Sequence, residues 1–352
     1  MTLRDLPTPF LTVDLDAVSR NIARMQRYCD EHGIALRPHV KTHKMPRIAE
    51  LQARAGARGI TCQKLGEAEV MAEHGFDDIL ITFPLVGVGK PERLAALAGG
   101  ARVTVGADSD VVARRLSTSL VEYGSSAGFL VDCDTGCGRT GVQEPGDAAD
   151  LAELVVELPG LEFAGLMTHP VLPASGAWLH EARRLTEARG LAVTRVSGGG
   201  SAGAFEIHES GEFTELRAGT YVYGDRRLAA QGVMALADCA LRVVTTVVSR
   251  PARDRAIIDA GSKTLTSDVP LGLDDGAFGL VVEYPDAVLH RLSEEHGTVD
   301  VSACRRPPEI GEVVTVVPNH ACGAVNLHDE IALHRGGGDV EIARILARGL
   351  VR

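Results

Sequence analysis

The strongest constraint on the fold is an alternation of short β-rich runs with amphipathic helical segments, which begins near residue 34. Helical segments stop at Gly56, Gly75 and Gly124, as expected for the left-handed residue that follows a helix. Eight strand–helix units predict a closed parallel (β/α)8 barrel of the TIM type, with an open doubly wound sheet as the alternative. The strand candidates are IALRPHV, RGITCQ, DILITF, RVTVGA, GFLVDC, FAGLMTH, AVTRVS and ELRAGTYV.

After Gly224 the pattern changes to β-rich runs that are separated by turns, such as ALRVVTTVVSR, RAIIDAG and GEVVTVVPNHA. These runs predict a mostly antiparallel β-domain. Only the final VEIARILARGLVR resembles a helix, and the early FLTVDL either pairs with the β-domain or leads into the barrel. We therefore expect a barrel over residues 12–235 and a β-domain over residues 236–352 with residues 1–11.

Composition excludes several classes of protein. The net charge of −11 argues against a nucleic-acid partner, which would require a basic face. No apolar run is long enough to predict a membrane span, and the N-terminus lacks the apolar core of a signal peptide. Seven scattered cysteines suit a reducing compartment better than a disulfide framework, so we expect a cytoplasmic protein.

The first barrel strand ends in a group of basic residues, RPHVKTHK, in which Lys41 stands between His39 and His43. Active groups of barrel enzymes lie at the carboxyl ends of the strands. Neighbouring cations lower the pKa of a lysine, and a neutral amine can form a Schiff base with a carbonyl compound. Lys41 is therefore a candidate catalytic residue, whereas an isolated lysine before a helix would simply be a surface residue.

The seventh strand is followed by SGGGSAG, from Ser197 to Gly203. Its glycines fit the dinucleotide pattern G-x-G-x-x-G, but that motif should open the first βαβ unit. We interpret it as a loop that opens a helix and binds one phosphate through backbone N–H groups, although a flexible turn is the alternative. A phosphate site together with Lys41 indicates pyridoxal 5′-phosphate.

A second candidate site is VVPNHACGAVNLHDE, in which His320 and Cys322 are two residues apart. In an extended segment both side chains point to one side, and imidazole with thiolate favours zinc. Two protein ligands leave positions open for water or substrate, as in catalytic sites. The pair Cys133 and Cys137 has no second cysteine pair, so we interpret these two as packing or loop residues.

Five motifs make the chain resemble the D-serine dehydratase and D-threonine aldolase family, which are fold-type III pyridoxal-phosphate enzymes with an alanine racemase-like barrel. The motifs are RPHVKTHK, ITCQKLGEAEVM, DTGCGRTGV, LRAGTYVYGD and PNHACGAVNLHDE, and the resemblance runs from Pro7 to about Glu330.

The resemblance implies roles for individual residues. Lys41 matches the Schiff-base lysine, Arg139 the arginine on the phenolic oxygen of the cofactor, and His169 the histidine beside its ring. Arg217 aligns with the arginine that binds the pyridine nitrogen in alanine racemase. The expected phosphate and cofactor contacts are Ser197, Gly198, Gly199, Gly200, Gly219 and Thr220, together with Gln63 and Tyr221. His320 and Cys322 match the zinc pair of the dehydratases, although Mn²⁺ or Mg²⁺ could replace zinc.

The resemblance also implies an activity, a lyase reaction on a small β-hydroxy D-amino acid. The aldolase branch more often reads His-Cys-Asp, so His-Ala-Cys favours dehydration to a keto acid and ammonia over aldol cleavage to glycine and an aldehyde. Pro170 and Pro173 depart from the family pattern and bear on the choice of substrate. A racemase and a non-catalytic cofactor-binding protein are further alternatives. In this fold type one subunit usually caps the barrel of the other, so we expect a homodimer.

Overall fold

The computed structural model describes residues 2–269, 273, 275–336 and 338–352. The chain opens with strand β1 (Phe10–Asp14) and helix α1 (Leu15–Glu31). The described residues form two compact units. The barrel unit comprises Arg24–Lys41, Pro46–Gly219 and Leu350–Arg352, and the β unit comprises Met1–Ala23, Thr42–Met45 and Thr220–Gly349. The expected domain boundaries at residues 11/12 and 235/236 stay a prediction.

The barrel unit contains eight parallel strands, which confirms the predicted barrel. They are β2 (Ala35–Leu36), β3 (Ile60–Cys62), β4 (Asp78–Ile81), β5 (Arg102–Ala107), β6 (Ala127–Cys133), β7 (Leu161–Thr168), β8 (Val196–Gly199) and β9 (Glu215–Arg217). From β2 to β8, a helix lies between each strand and the next: α2 (Pro46–Arg54), α3 (Leu65–Glu73), α4 (Lys90–Ala98), α5 (Asp110–Tyr123), α6 (Pro145–Glu157) and α7 (Ser175–Ala188).

The sheet closes on itself. The strands run in the order β2-β9-β8-β7-β6-β5-β4-β3. Beyond β2, His39 forms a parallel bridge with Thr61, whose N–H donates to the Pro38 carbonyl at 2.8 Å. This link joins β2 to β3. Closure aligns the carboxyl ends of all eight strands at one end of the barrel, where an active site is expected.

Strand β8, the seventh strand of the barrel, extends further than predicted, because Ser197, Gly198 and Gly199 are paired within the sheet. They lie opposite Glu215, Leu216 and Arg217 of β9. Isolated glycines weaken a strand, but here β7 and β9 supply hydrogen-bonding partners on both sides. The glycines are therefore part of the barrel wall.

The β unit is mostly antiparallel, as predicted, and β1 belongs to it. Strand β1 pairs antiparallel with β10 and parallel with β16. The remaining elements are α8 (Arg226–Ala230), β10 (Leu241–Ala252), β11 (Arg255–Ile258), α9 (Ser262–Leu265), β12 (Gly279–Val281), β13 (Val288–Leu292), β14 (Gly297–Asp300), β15 (Val313–Pro318), α10 (Ala321–Asn326), β16 (Glu330–His334) and β17 (Glu341–Arg344).

The predicted C-terminal helix is wrong. Glu341–Arg344 is strand β17, which pairs antiparallel with β16, for example Ile331 opposite Ala343. The apolar spacing of this segment suits a helix, but β16 offers an unpaired edge whose hydrogen bonds decide the outcome. Within the described residues, no helix is both long and apolar enough to cross a membrane.

Candidate active site

Lys41 lies in a short 3-10 turn, Val40–Thr42, that follows β2 at the carboxyl end of the barrel. Its Nζ is 3.5 Å from Oε1 of Gln63, which follows β3. The two residues line a narrow cleft together with Arg139, His169, Gly199 and Arg217. Six of the predicted site residues therefore meet in one place. The remaining lining residues are His39, Thr82 and Met167.

His39 was noted beside Lys41 but was not predicted as a site residue. Its Nε2 is 3.1 Å from Oε1 of Gln63 and 3.4 Å from the hydroxyl of Thr82. Burial, and then the charges of Lys41 and Arg217, hold the pKa of His39 well below its usual value. A neutral His39 can thus position Gln63 without adding a further cation to the cleft.

Arg139 is carried by a loop that the residues of DTGCGRTG stabilise internally. Oδ1 of Asp134 accepts hydrogen bonds from the N–H groups of Gly136 at 3.0 Å and Cys137 at 2.7 Å. On the other side of Arg139, the Thr140 hydroxyl donates to Asp132 at 2.9 Å. Cys133 is buried and Cys137 is exposed, which agrees with packing and loop roles. The loop is anchored on both sides of the arginine, so Arg139 can itself remain exposed at the cleft.

His169 and Arg217 approach each other because position 199 has no side chain. A Cβ atom there would lie 2.7 Å from Nδ1 of His169 and 3.0 Å from Nη2 of Arg217. Nη2 of Arg217 donates to the Thr168 carbonyl at 2.8 Å. Nη1 of Arg217 is buried and has no hydrogen-bond partner within the described residues. An acceptor from a bound cofactor would satisfy this atom.

The cleft is strongly cationic, and its lining includes no carboxylate. Burial is the main cause that lowers the pKa of His169 to about 3, and the charges of Lys41, Arg139 and Arg217 add to it. Burial likewise lowers the pKa of Arg217 to about 10. His169 is therefore neutral at physiological pH. Such a lining suits an anionic ligand that carries a phosphate and a phenolic oxygen.

The loop after β8 differs from the prediction, because no α-helix begins there. Only a 3-10 turn, Ile207–Ser210, follows it. The Ser197 hydroxyl is buried and donates to Glu215 at 2.6 Å, and the Gly219 N–H donates to the Ser201 hydroxyl at 3.2 Å. The positive φ of 116° at Gly200 turns the chain out of the strand, so the segment leaves as a loop. The phosphate contacts expected from Ser197, Gly198, Gly200 and Gly219 stay a prediction.

The β unit holds the predicted metal pair. His320 is extended, but Cys322 lies in the first turn of α10, so the premise of a fully extended segment is wrong. A hydrogen bond with Cys322 is the main cause that raises the pKa of His320 to about 9. Burial opposes this shift, while the charge of Cys322 and a hydrogen bond with Asp268 add to it. The two side chains therefore meet despite the helix.

Further residues of the β unit surround this pair. Nδ1 of His320 is 2.6 Å from Oδ2 of Asp268, a residue that the sequence analysis did not predict. In metal-binding histidines, the ring nitrogen that does not bind the metal typically contacts a carboxylate. The hydroxyls of Thr42 and Thr220 lie 3.2 Å and 3.7 Å from the Cys322 sulfur. Tyr221, the residue after Thr220, is buried. No cluster of three or more His, Cys, Asp or Glu residues that could hold an ion occurs in the described part of the chain. The donor set fits a metal that keeps open positions.

Comparison with known proteins identifies the family. The profile "Alanine racemase, N-terminal domain" matches residues 13–227, and a serine dehydratase domain matches residues 240–334. D-threonine aldolase of an Arthrobacter species is 35% identical, over 99% of this chain and 95% of its own. D-threo-3-hydroxyaspartate dehydratase of Delftia sp. (strain HT23) is 31% identical, over 91% of this chain and 92% of its own.

Solved structures agree with this assignment. The crystal structure of D-threonine aldolase from Filomicrobium marinum superposes with a TM-score of 0.91 at 33% identity, over 100% of this chain and 98% of the other. The Delftia dehydratase has a TM-score of 0.87 at 29% identity, over 97% and 98% of the two chains. The chain therefore belongs to the fold-type III pyridoxal-phosphate family that contains the D-threonine aldolases and the D-serine dehydratase group.

Proposed function

We propose that this protein is a pyridoxal-phosphate- and divalent metal-dependent lyase that dehydrates a β-hydroxy D-amino acid to a keto acid and ammonia. The observation that carries the proposal is the cationic cleft in which Lys41, Arg139, His169 and Arg217 meet. The named relatives are lyases of this substrate class.

Four residues of the cleft have a role in this proposal. Lys41 would hold the cofactor, and its amine would serve as the base for the Cα proton. Arg139 would bind the phenolic oxygen, and Nη1 of Arg217 would donate toward the pyridine nitrogen. Neutral His169 would lie beside the ring. When bound, the cofactor supplies an electron sink for the pair left at Cα.

His320 and Cys322 would hold a divalent ion, zinc in the first instance, and Asp268 would orient the imidazole. When bound, the ion supplies Lewis-acid chemistry toward the β-oxygen of the substrate, since hydroxide is a poor leaving group at neutral pH. A related structure supports the cysteine as a ligand, because a cysteine-to-alanine variant of D-threo-3-hydroxyaspartate dehydratase was solved in the metal-free form.

Aldol cleavage is the second candidate, and sequence identity favours it. The Arthrobacter D-threonine aldolase at 35% and the 3-hydroxy-D-aspartate aldolase of Paracoccus denitrificans (strain Pd 1222) at 32% both exceed the dehydratase at 31%. Both reactions use the same lysine and the same ion, so the products distinguish them.

Product analysis tests the proposal. The purified enzyme, loaded with cofactor and zinc, is incubated with D-serine, D-threonine and 3-hydroxy-D-aspartate, while keto acid, ammonia, glycine and aldehyde are assayed together. Keto acid with equimolar ammonia is the expected result. Glycine with an aldehyde would assign the protein to the aldolases, and absence of all four products would reject the lyase assignment.

A pair of variants tests the metal site separately. Cys322→Ala should abolish metal retention and activity while the cofactor remains bound, as read from its visible absorbance. Cys304→Ala, at a half-buried cysteine of the β unit, is the matched control and should retain both. Full activity of Cys322→Ala after chelation would remove the metal from the mechanism.

We further propose that the enzyme is a cytoplasmic homodimer, as is usual for this fold type. Gel filtration of the cofactor-loaded protein should give twice the 37.2 kDa mass of the chain. A stable active monomer would contradict the dimer.

A further inference from the structure

A second cavity, of about 420 Å³, lies at the amino ends of the barrel strands. It is lined by the first residues of β2, β4, β5 and β9, whereas the cleft with Lys41 is built from residues at or beyond the carboxyl ends of the strands. The lining includes four arginines, Arg37, Arg58, Arg102 and Arg195, but only two carboxylates, Asp78 and Glu215. The cavity therefore carries two excess positive charges.

The two carboxylates are already used within the cavity wall. Arg37 Nε donates to Glu215 at 2.8 Å, and Arg37 Nη1 donates to Asp78 at 2.7 Å. The other oxygen of Asp78 accepts from Arg102 at 2.8 Å. The other oxygen of Glu215 accepts from Ser197 at 2.6 Å. Every carboxylate oxygen thus already has a donor within 2.8 Å, and three of the four oxygens accept from Arg37 or Arg102.

Arg195 is the arginine that remains. Its side chain is 20% exposed, yet its Nε and Nη2 atoms are buried and have no hydrogen-bond partner among the described residues. The nearest carboxylate oxygen, Oε1 of Glu215, accepts from Ser197 and is 3.6 Å from Nε, which is close enough for an ion pair but too far for a hydrogen bond. Burial is also the main cause that lowers the pKa of Arg195. A buried guanidinium with two unused donors is costly unless an acceptor reaches it.

We propose that this cavity binds a small dianion, with Arg195 as its principal donor and Arg58 at the rim. The excess of two positive charges matches a dianion, and a guanidinium binds oxyanions through paired N–H groups. Arg58 is exposed and forms no ion pair within the part of the chain that is described, so it can turn toward the ligand. Phosphate, sulfate and short dicarboxylates share the required chemistry.

The site is separate from the cofactor cleft because the two lie at opposite ends of the strands. Strand β9 illustrates this separation: Glu215 lines the dianion cavity and Arg217 lines the cleft. A dianion bound beside Arg195 does not compete with cofactor or substrate. The inference therefore does not depend on the proposed reaction.

Calorimetric titration of the cofactor-saturated enzyme tests the inference. Inorganic phosphate, sulfate and malonate are titrated separately in a buffer that contains only monovalent anions. We expect one saturable site per chain for at least one of these dianions, and the three titrations distinguish an oxyanion from a dicarboxylate. Arg195→Met should weaken binding by about tenfold or more, because hydrogen bonds between charged groups are lost.

Two further variants make the result decisive. Arg184→Met removes an exposed arginine that pairs with Glu181 on α7, and it should bind the dianion like the parent protein. Arg58→Met should weaken binding by a smaller factor and carries the test if Arg195→Met does not fold. The proposal would be overturned if the parent protein showed no saturable binding. It would also be overturned if the Arg195 and Arg58 variants bound the dianion with the affinity of the parent protein.

Discussion

The two ends of the barrel both concentrate arginine, but the lining of the amino end also holds two carboxylates, whereas that of the carboxyl end holds none. At the amino ends of the strands, Arg37 donates to both Asp78 and Glu215. At the carboxyl ends, Arg217 donates to one backbone carbonyl and keeps a buried nitrogen without a partner. A fully paired buried arginine contributes to the fold, whereas an incompletely paired one marks a place where a ligand supplies the missing acceptor.

The largest expected effect comes from the carboxyl end of the barrel, where Lys41 is the one amine in the lining of the cleft. Lys41→Ala should lower the lyase rate by about a thousandfold or more, because general acid–base catalysis by one group contributes roughly 10²–10⁴-fold. The visible absorbance of the lysine-bound cofactor should disappear as well. Lys263→Ala, at an exposed lysine that pairs with Glu294 and Glu295, is the control. Parental absorbance in the Lys41 variant would assign the cofactor to another residue.

The next effect comes from Arg37 at the amino end of the barrel and is measured as stability. Arg37→Met leaves two carboxylates without their buried partner and should lower the free energy of unfolding by about 3–5 kcal/mol. Arg217→Met breaks one hydrogen bond to a carbonyl, so it should cost less stability and mainly weaken cofactor binding. Urea unfolding of the cofactor-free proteins measures both. An equal loss of stability in the two variants would remove the distinction between the ends.

The smallest effect is a pH dependence of the free energy of unfolding, which arises from His169 in the cleft. Burial, with the charges of Lys41, Arg139 and Arg217, lowers the pKa of His169 from 6.5 to about 3. Between these values the unfolded chain binds a proton that the folded protein does not, so stability falls as the pH falls below 6.5. At pH 5.5 this single group should cost about 1.4 kcal/mol relative to pH 7.5.

Replacing His169 isolates its contribution. In the cofactor-free protein, His169→Gln should make the loss of stability between pH 7.5 and 5.5 smaller, while His39 still contributes in the parental manner. His296→Gln, at an exposed histidine of the β unit, should leave the pH dependence unchanged. An identical pH profile in the His169 variant would mean that the imidazole is not held neutral by the cleft.

The sequence predicts the barrel well because helices and strands there follow local patterns. Strand periodicity, helix-ending glycines and the basic turn at Lys41 are all short-range signals. The place of Ser197–Gly199 in a strand could not be predicted, because it depends on β7 and β9 and on the space that His169 and Arg217 need. Strand β17 was missed for the same kind of reason, since its edge partner β16 decides its conformation.

The candidate site divides in a similar way. Residues within recognisable motifs, such as Arg139, His320 and Cys322, were predicted from the sequence. Asp268, which bonds His320, is 52 residues away in the chain and has no motif around it. Arg195 and Glu215 were not singled out, because a buried arginine without a hydrogen-bond partner is visible only once the packing is known.

The position of β1 affects the order in which the chain can fold during synthesis. This strand is paired on both sides, and Leu11 and Val13 are fully buried. Its partner Ala332 lies 320 residues later in the chain. At about 5–20 residues per second, the ribosome needs tens of seconds to deliver that partner. The nascent chain must therefore carry an unfinished apolar strand while the barrel residues emerge, which makes its first fourteen residues a natural point of chaperone contact.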